Sequence, residues 1–174
     1  NPHWLPAGRT NHGHLIEPPR DMQSLVLEAP GGAAFDWRSL QDQWTLVILA
    51  QGHCDAACIE RLIKLRQIRR ALGANQQRIE RLLILLPNPE GKQAPPSLAG
   101  LEGTRLALVD DAAAPALQEQ FAIPQTDLEH AVFVIDPRIH LMMVHDLSHL
   151  TTKQVLQDLE KLLKASQSWV KGGQ

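Results

Sequence analysis

Two almost wholly apolar runs, separated by one amphipathic stretch, constrain the fold of this chain more than any other feature of its sequence. The runs are residues 44–50 (WTLVILA) and 79–87 (IERLLILLP). Each has the length of a strand and lacks polar alternation, so both are predicted to be buried on two sides. Between them, residues 54–72 repeat apolar side chains at helical spacing, and Gly73 is a typical helix stop. This order predicts a parallel strand–helix–strand unit.

The second half of the chain continues the alternation of strands and helices. The predicted elements are a strand at 104–111, a short helix at 112–123 containing Pro115, strands at 130–136 and 139–146, and a last helix capped by Thr151 or Thr152. The two late strands are separated only by Pro137 and Arg138, which favours an antiparallel hairpin. We therefore predict an α/β fold with a mixed central sheet, helices on both faces and the hairpin as an antiparallel edge.

The first part of the chain has weaker patterns. Residues 1–22 are rich in Pro, Gly and His without a sustained period, so they are predicted to be an extended N-terminal arm. Residues 24–35 (SLVLEAPGGAAF) indicate a strand, a glycine turn and a short return strand, and Asp36 is placed to cap a helical turn. The predicted organisation is one domain over 23–168 with a tail at 169–174.

Composition excludes some classes of function. The chain has 17 basic and 19 acidic residues, a formal net charge of −2, which predicts no nucleic-acid surface. Its longest apolar runs are too short to cross a bilayer. Because the sequence begins with Asn1 rather than Met, we expect that an upstream anchor or targeting segment precedes it.

The two cysteines of the chain, Cys54 and Cys58, stand where the first long strand meets the first long helix. Three interpretations are open: a structural disulfide, a redox pair, or two metal ligands. If Cys54 begins the helix, the helix dipole favours its thiolate, while the neighbouring Asp55 works modestly against it. A thiolate is both a good nucleophile and a soft ligand that selects Cu(I). Because loops after buried strands present reactive groups, we favour a functional pair.

The segment around the cysteines resembles a known family. Residues 52–58 read GHCDAAC, which is similar to the T-H-C-x-x-x-C-P stretch of the Sco/SenC proteins of cytochrome c oxidase assembly. Residues 130–143 (HAVFVIDPRIHLMM) resemble that family's penultimate strand, D-P turn and last strand, and the resemblance covers roughly residues 23–165. It implies a thioredoxin-like fold and a Cu(I) site formed by both cysteines and a histidine.

The chain departs from that family at two positions. Ile59 stands where the family usually has proline after the second cysteine. The family's third copper ligand falls on Leu128 here, and His130 lies two residues later. His130 matches the place where many thioredoxin-fold proteins have a cis-proline facing the cysteines. We therefore take His130, with Cys54 and Cys58, as the candidate metal set.

Other residues that bind copper elsewhere are also present. They are His53, the His-rich arm, and His140, Met142, Met143, His145 and His149 of the segment HLMMVHDLSH. Core packing is the favoured interpretation for the two methionines. Local hydrogen bonding is the alternative for His130, and a solvated docking segment is the alternative for the His-rich arm. The Arg-rich stretch 61–70 is interpreted as a solvated helix face.

Three functions remain open on the sequence. The resemblance implies a membrane-anchored, extracytoplasmic accessory protein on the periplasmic side, which binds or delivers Cu(I) or controls cysteine redox state. Its implied partner is subunit II of cytochrome c oxidase. The second hypothesis is an enzyme, a thiol–disulfide oxidoreductase in which Cys54 attacks and Cys58 resolves. The third is a degenerate thioredoxin-fold binding module with a structural disulfide.

Overall fold

The fold is a six-stranded mixed sheet with helices on both faces. A computed structural model of the chain describes residues 11–90 and 96–167. The strands are β1 (His14–Asp21), β2 (Trp44–Gln51), β3 (Ile79–Leu86), β4 (Thr104–Leu108), β5 (Ala131–Ile135) and β6 (His140–Asp146). The helices are α1 (Ala56–Ala71), α2 (Ala114–Gln120) and α3 (Thr152–Ala165). The predicted α/β class and the predicted order of these elements from β2 to α3 are confirmed.

The strand order across the sheet is β1-β6-β5-β2-β3-β4. Strands β2, β3 and β4 are parallel, while β5 and β6 form the predicted antiparallel hairpin. The prediction that this hairpin forms an edge of the sheet was wrong, because β1 pairs with β6 and covers it. Strand β2 lies near the centre, buried along 44–50 by helices on both sides, as its apolar sequence predicts.

Strand β1 was not predicted, because its sequence lacks the pattern of a strand. It contains Pro18 and Pro19, which cannot donate to a sheet ladder. Their position at the edge of the sheet accommodates them, and the pairing with β6 is irregular between Leu15 and Arg20. Part of the predicted arm therefore belongs to the sheet. Residues 1–10 and 169–174, which carry the remainder of the arm and the predicted tail, lie outside the described residues.

The two faces of the sheet carry separate cores. Helices α1 and α3 pack on one face, which also holds Met142 and Met143, buried as predicted. Helix α2 and the short 3-10 helix Trp37–Leu40 pack on the other face. Asp36 caps that 3-10 helix by accepting a hydrogen bond from Arg38 N, which confirms the predicted cap.

The predicted strand pair at 24–35 is reduced to single bridges. Glu28 pairs with Ala34 and, on its other side, with Leu108. The segment is short and turns at Gly31 and Gly32, so it forms no continuous ladder. Among residues 11–90 and 96–167, no helix combines the length and the apolar character needed to cross a membrane.

A buried polar network joins the start of the chain to α3. Asp158 is 1% exposed and accepts hydrogen bonds from the backbone N–H groups of His12 and Gly13. Its Oδ2 also lies 2.7 Å from Nε2 of His145, which is completely buried on β6. A side chain at position 13 would collide with that imidazole, because a Cβ there would lie 2.7 Å from Nε2. One carboxylate thus holds three segments together.

Candidate functional site

The cysteine pair lies at the junction of β2 and α1, with Cys54 just before the helix and Cys58 in its first turn. Gly52 turns the chain with a φ of 77°, and a Cβ there would approach the side chain of Asn88 at 3.0 Å. Cys54 and Cys58 are joined by a disulfide whose Cα atoms are 5.1 Å apart. The added residue relative to C-x-x-C therefore does not prevent closure of the pair.

The start of α1 differs from the sequence-based expectation. The helix begins at Ala56, not at Cys54, and Asp55 is its N-cap. The Asp55 carboxylate accepts a hydrogen bond from Cys58 N at 2.9 Å. A carboxylate at the N-terminus of a helix interacts favourably with the positive end of the helix dipole. Asp55 therefore stabilises the segment that carries both sulfurs. The predicted role of Asp55 as a mere opponent of thiolate formation is thus incomplete.

The two sulfurs differ in accessibility. Cys58 is completely buried on the face of α1 that packs against the sheet, whereas Cys54 is partly exposed. An external thiol or metal therefore reaches Cys54 first. This asymmetry agrees with the assignment of Cys54 as the attacking group and Cys58 as the resolving group.

His130 lies in the segment just before β5 and is engaged elsewhere. Its Nδ1 is 2.8 Å from Oδ2 of Asp127, and its side chain is 46% exposed. The hydrogen bond from His130, with further help from the Glu129 N–H, lowers the pKa of Asp127 below its usual value. Within the parts of the chain that are described, no three His, Cys, Asp or Glu side chains are arranged to hold a metal. The predicted trio of Cys54, Cys58 and His130 is therefore not assembled while the disulfide is closed.

The remaining candidate histidines are dispersed. His53 is exposed beside Cys54, and His145 is buried in the network with Asp158. His140 lies 3.8 Å from the carboxylate of Asp136. The local hydrogen bonding weighed for His130 from the sequence is observed, in its contact with Asp127.

A cavity of about 180 Å³ adjoins the pair and has a buried arginine in its wall. It is lined by Leu49, Ala50, Gln51, His53, Asp55, Ala57, Arg61, Leu86, Leu128 and Glu129. Arg61 is only 5% exposed, so the prediction that the whole Arg-rich stretch is solvated was wrong for this residue. Its guanidinium donates to the backbone carbonyls of Leu128, Ala131 and Leu49 at 3.0 to 3.1 Å.

The sequence does contain a signal for the burial of Arg61. It stands three positions after Cys58 and next to Leu62, within the stripe that also contains Leu65 and Ile68. Residues on one face of a helix share its environment, so a charged residue in the apolar stripe predicts a buried charge with dedicated partners. The partners themselves come from β2 and the segment before β5 and are not visible in the sequence.

The sheet order, the two helical layers and a cysteine pair at the junction of β2 and α1 define a thioredoxin-fold domain with a C-x-x-x-C site. A family model described as the transmembrane-like, thioredoxin-like C-terminal domain matches residues 44–166. The chain belongs to this family. A comparison with curated proteins found no significant match.

Solved structures of Sco proteins share the fold. Sco1 of Thermus thermophilus in its apo form matches with a TM-score of 0.66 and 19% identity, covering 91% of this chain and 100% of that one. Copper-bound ScoI of Bradyrhizobium japonicum matches with a TM-score of 0.57 and 17% identity, covering 79% and 96%. The thioredoxin domain of a thiol–disulfide oxidoreductase from Bacteroides vulgatus matches at 0.56 and 11%, covering 79% and 91%. The predicted thioredoxin-like fold and its likeness to Sco proteins are confirmed at the level of the fold.

Reduction of the disulfide is expected to leave the domain folded. The bridge closes a very short loop, separation 4 in sequence, so the chain-entropy model assigns it only about 2 kcal/mol. Denaturant unfolding of the oxidised and reduced protein would measure the difference. A loss above about 5 kcal/mol, at the upper limit of such bridges, would instead identify the pair as a structural bridge.

Proposed function

We propose that this chain is a Sco-like accessory protein that handles Cu(I) or cysteine redox state through Cys54 and Cys58. The observation that carries the proposal is the position of the pair, linked but partly accessible, at the end of the central strand of a thioredoxin-like fold. Copper-bound proteins of the same fold support copper as the cargo, and thiolate ligands select its Cu(I) state. The bond between the sulfurs must be reduced before either can bind a metal.

In the reduced state the two thiolates form the soft half of a Cu(I) site. The cap by Asp55 and the rigid strand β2 hold them near one another. His130 is the proposed third ligand, and its imidazole must leave Asp127 or bind through Nε2 while Nδ1 keeps that hydrogen bond. Second-sphere contacts of this kind orient a ligating histidine, so the Asp127 contact is compatible with the proposal.

The proposed setting is extracytoplasmic, on the periplasmic side of a membrane, with an anchor upstream of this chain. The name of the matched family, with its transmembrane-like label, supports this setting. The proposed partner is subunit II of cytochrome c oxidase, which follows from the Sco resemblance.

A second candidate function is thiol–disulfide exchange. The closed bridge and the oxidoreductase domain among the structural matches favour it. Cys54 would attack a client disulfide, releasing one client thiol, and Cys58 would displace the other while the bridge closes. Two electrons pass from the pair to the client, and the pair ends as the disulfide seen here.

An anaerobic competition titration with a Cu(I) chelator tests the first proposal. The reduced protein is expected to bind one Cu(I) tightly, and the oxidised protein is expected to bind none, because a disulfide offers no thiolate. A reduced protein that cannot compete with the chelator would reject the copper proposal. The reduction potential then separates the alternatives, since structural bridges lie below about −300 mV and oxidoreductases above it.

A further inference from the structure

The two central strands β2 and β5 separate at the end that carries the cysteines. Their ladder pairs Thr45 with Ile135, Leu46 with Val134 and Val47 with Phe133. Continued by two more residues, the same register would bring Leu49 opposite Ala131. Instead the guanidinium of Arg61 lies between these two residues and donates to both carbonyls, at 3.0 and 3.1 Å. A side chain from α1 therefore occupies the gap between two strands of one sheet.

The same guanidinium also holds the segment that precedes β5. Its Nη1 donates to the carbonyl of Leu128 as well as to that of Ala131, so it spans the turn that carries His130. That turn is otherwise tied by the His130 N–H to Asp127 O and by the Leu147 N–H to His130 O. The buried guanidinium of Arg61, a fork of N–H donors, thus connects α1, the end of β2 and the turn before β5.

Burial of the Arg61 guanidinium costs free energy, which its hydrogen bonds must offset. An arginine is almost never fully buried unless it is paired, and removing its charge from water costs several kcal/mol. Burial lowers the pKa of Arg61, and three exposed carboxylates oppose that effect at longer range. They belong to Asp55, Glu129 and Asp127. Its close partners are neutral carbonyls, so the contacts serve to fix the backbone.

The cavity beside the cysteine pair lies where the strands diverge. Arg61 is in its wall together with Leu49 and Leu128, whose carbonyls it binds. His53 and Asp55, the two neighbours of Cys54, also line it. Reduction breaks the bond between the sulfurs, and two thiols need more room than a closed bridge. Cys58 is completely buried and Cys54 is partly exposed, so the movement that reduction requires falls on Cys54. Neither cysteine lines the cavity, and Cys54 reaches it through its two neighbours in the chain.

We propose that Arg61 is a positioning residue that keeps β2 and β5 apart and so preserves the space that the reduced cysteine pair requires. The inference rests on the cycling of the pair between dithiol and disulfide proposed above. Without the fork, the strands close or the turn before β5 moves inward, and the disulfide is favoured over the dithiol. Arg61 touches neither client nor metal in this role.

The test is the equilibrium of the intact chain with glutathione in the absence of copper. In this equilibrium the protein disulfide and two reduced glutathione molecules are converted into the protein dithiol and one glutathione disulfide. Arg61→Met is expected to lower the equilibrium constant for reduction about tenfold, which corresponds to about 30 mV for a two-electron couple. Arg61→Lys keeps the charge but lacks the planar guanidinium, so its equilibrium constant is expected to lie between those of the wild type and Arg61→Met.

Arg81→Met is the matched control, because Arg81 is also 5% exposed and donates to a backbone carbonyl, that of Glu102. It lies at the other end of the sheet, where it pairs with Leu46, and is expected to leave the constant unchanged. The inference would be overturned if Arg61→Met left the equilibrium constant unchanged or if Arg81→Met changed it equally. It would also be overturned if Arg61→Lys had the constant of the wild type. A chain that shows the Arg61 effect but binds no Cu(I) rejects the copper proposal alone.

Discussion

Replacement of either cysteine is expected to abolish tight Cu(I) binding by the reduced protein. Cys54→Ser and Cys58→Ala each remove one of two soft ligands, and a hydroxyl or methyl group does not replace a thiolate for Cu(I). Alanine is chosen at position 58 because a serine hydroxyl would be buried there without a partner. The dissociation constant should rise by more than the roughly 100-fold that outer-sphere changes cause. Competition with a Cu(I) chelator measures it.

The matched control is Met142→Leu, which removes a soft sulfur that is 2% exposed in the core and is expected to change nothing. His130→Ala separates the third ligand from the pair. Tight binding retained in this variant would reject His130 as a ligand and leave the cysteine site. Binding that survives in both cysteine variants would contradict the copper proposal itself.

Replacement of Asp158 by alanine is expected to lower the free energy of unfolding by about 3–5 kcal/mol, because buried donors left without an acceptor cost about 1–3 kcal/mol each. The change leaves the N–H groups of His12 and Gly13 and the imidazole of His145 without their acceptor. The Gly13 N–H and the imidazole are buried, so their lost hydrogen bonds are not replaced, while the His12 N–H is only partly buried. Denaturant unfolding at neutral pH gives the difference.

The stability difference between wild type and Asp158→Ala is expected to depend on pH. Desolvation raises the pKa of Asp158, but the hydrogen bonds from His145, His12 and Gly13 outweigh it and leave the pKa below its usual value. The ionised carboxylate therefore stabilises the fold above its unfolded pKa of about 4, and this contribution is lost as the pH falls through the lower folded pKa. The gap between wild type and Asp158→Ala should narrow over that acid range.

The exposed Glu160→Ala, on the same helix, is the control and is expected to change stability by no more than about 0.5 kcal/mol. Asp158→Asn keeps an acceptor oxygen without the charge, so it should fall between wild type and Asp158→Ala. An Asp158→Ala protein as stable as the Glu160→Ala protein would show that the network contributes nothing to folding.

Much of the fold follows from local patterns in the sequence. The apolar run of β2 and the helical stripe of α1 predict their own conformations, and the capping signals at Asp36 and Thr151 predict where helices start. Strand β1 was not predicted, because an edge strand with two prolines is stabilised by its neighbour rather than by its own pattern. The hairpin was misplaced at the edge for the same reason.

The candidate site was predicted in part. The C-x-x-x-C pair and its place at the strand–helix junction are readable, because both depend on residues close in sequence. The orientation of His130 is not, since it depends on the turn at Asp127 and on how Arg61 holds that turn. Spacing predicts which residues share an element, but not which carbonyls a buried side chain meets.

The order of strands and helices, the two-sided burial of β2 and the place of Cys54 and Cys58 at the junction of β2 and α1 follow from the sequence alone. These properties follow from periodicity and from neighbours a few residues apart. Only the tertiary structure decided that Arg61 lies between two strands and that Asp158 binds Gly13 from 145 positions away. The reason is physical: a buried polar group is satisfied by whichever distant backbone the folded chain brings to it.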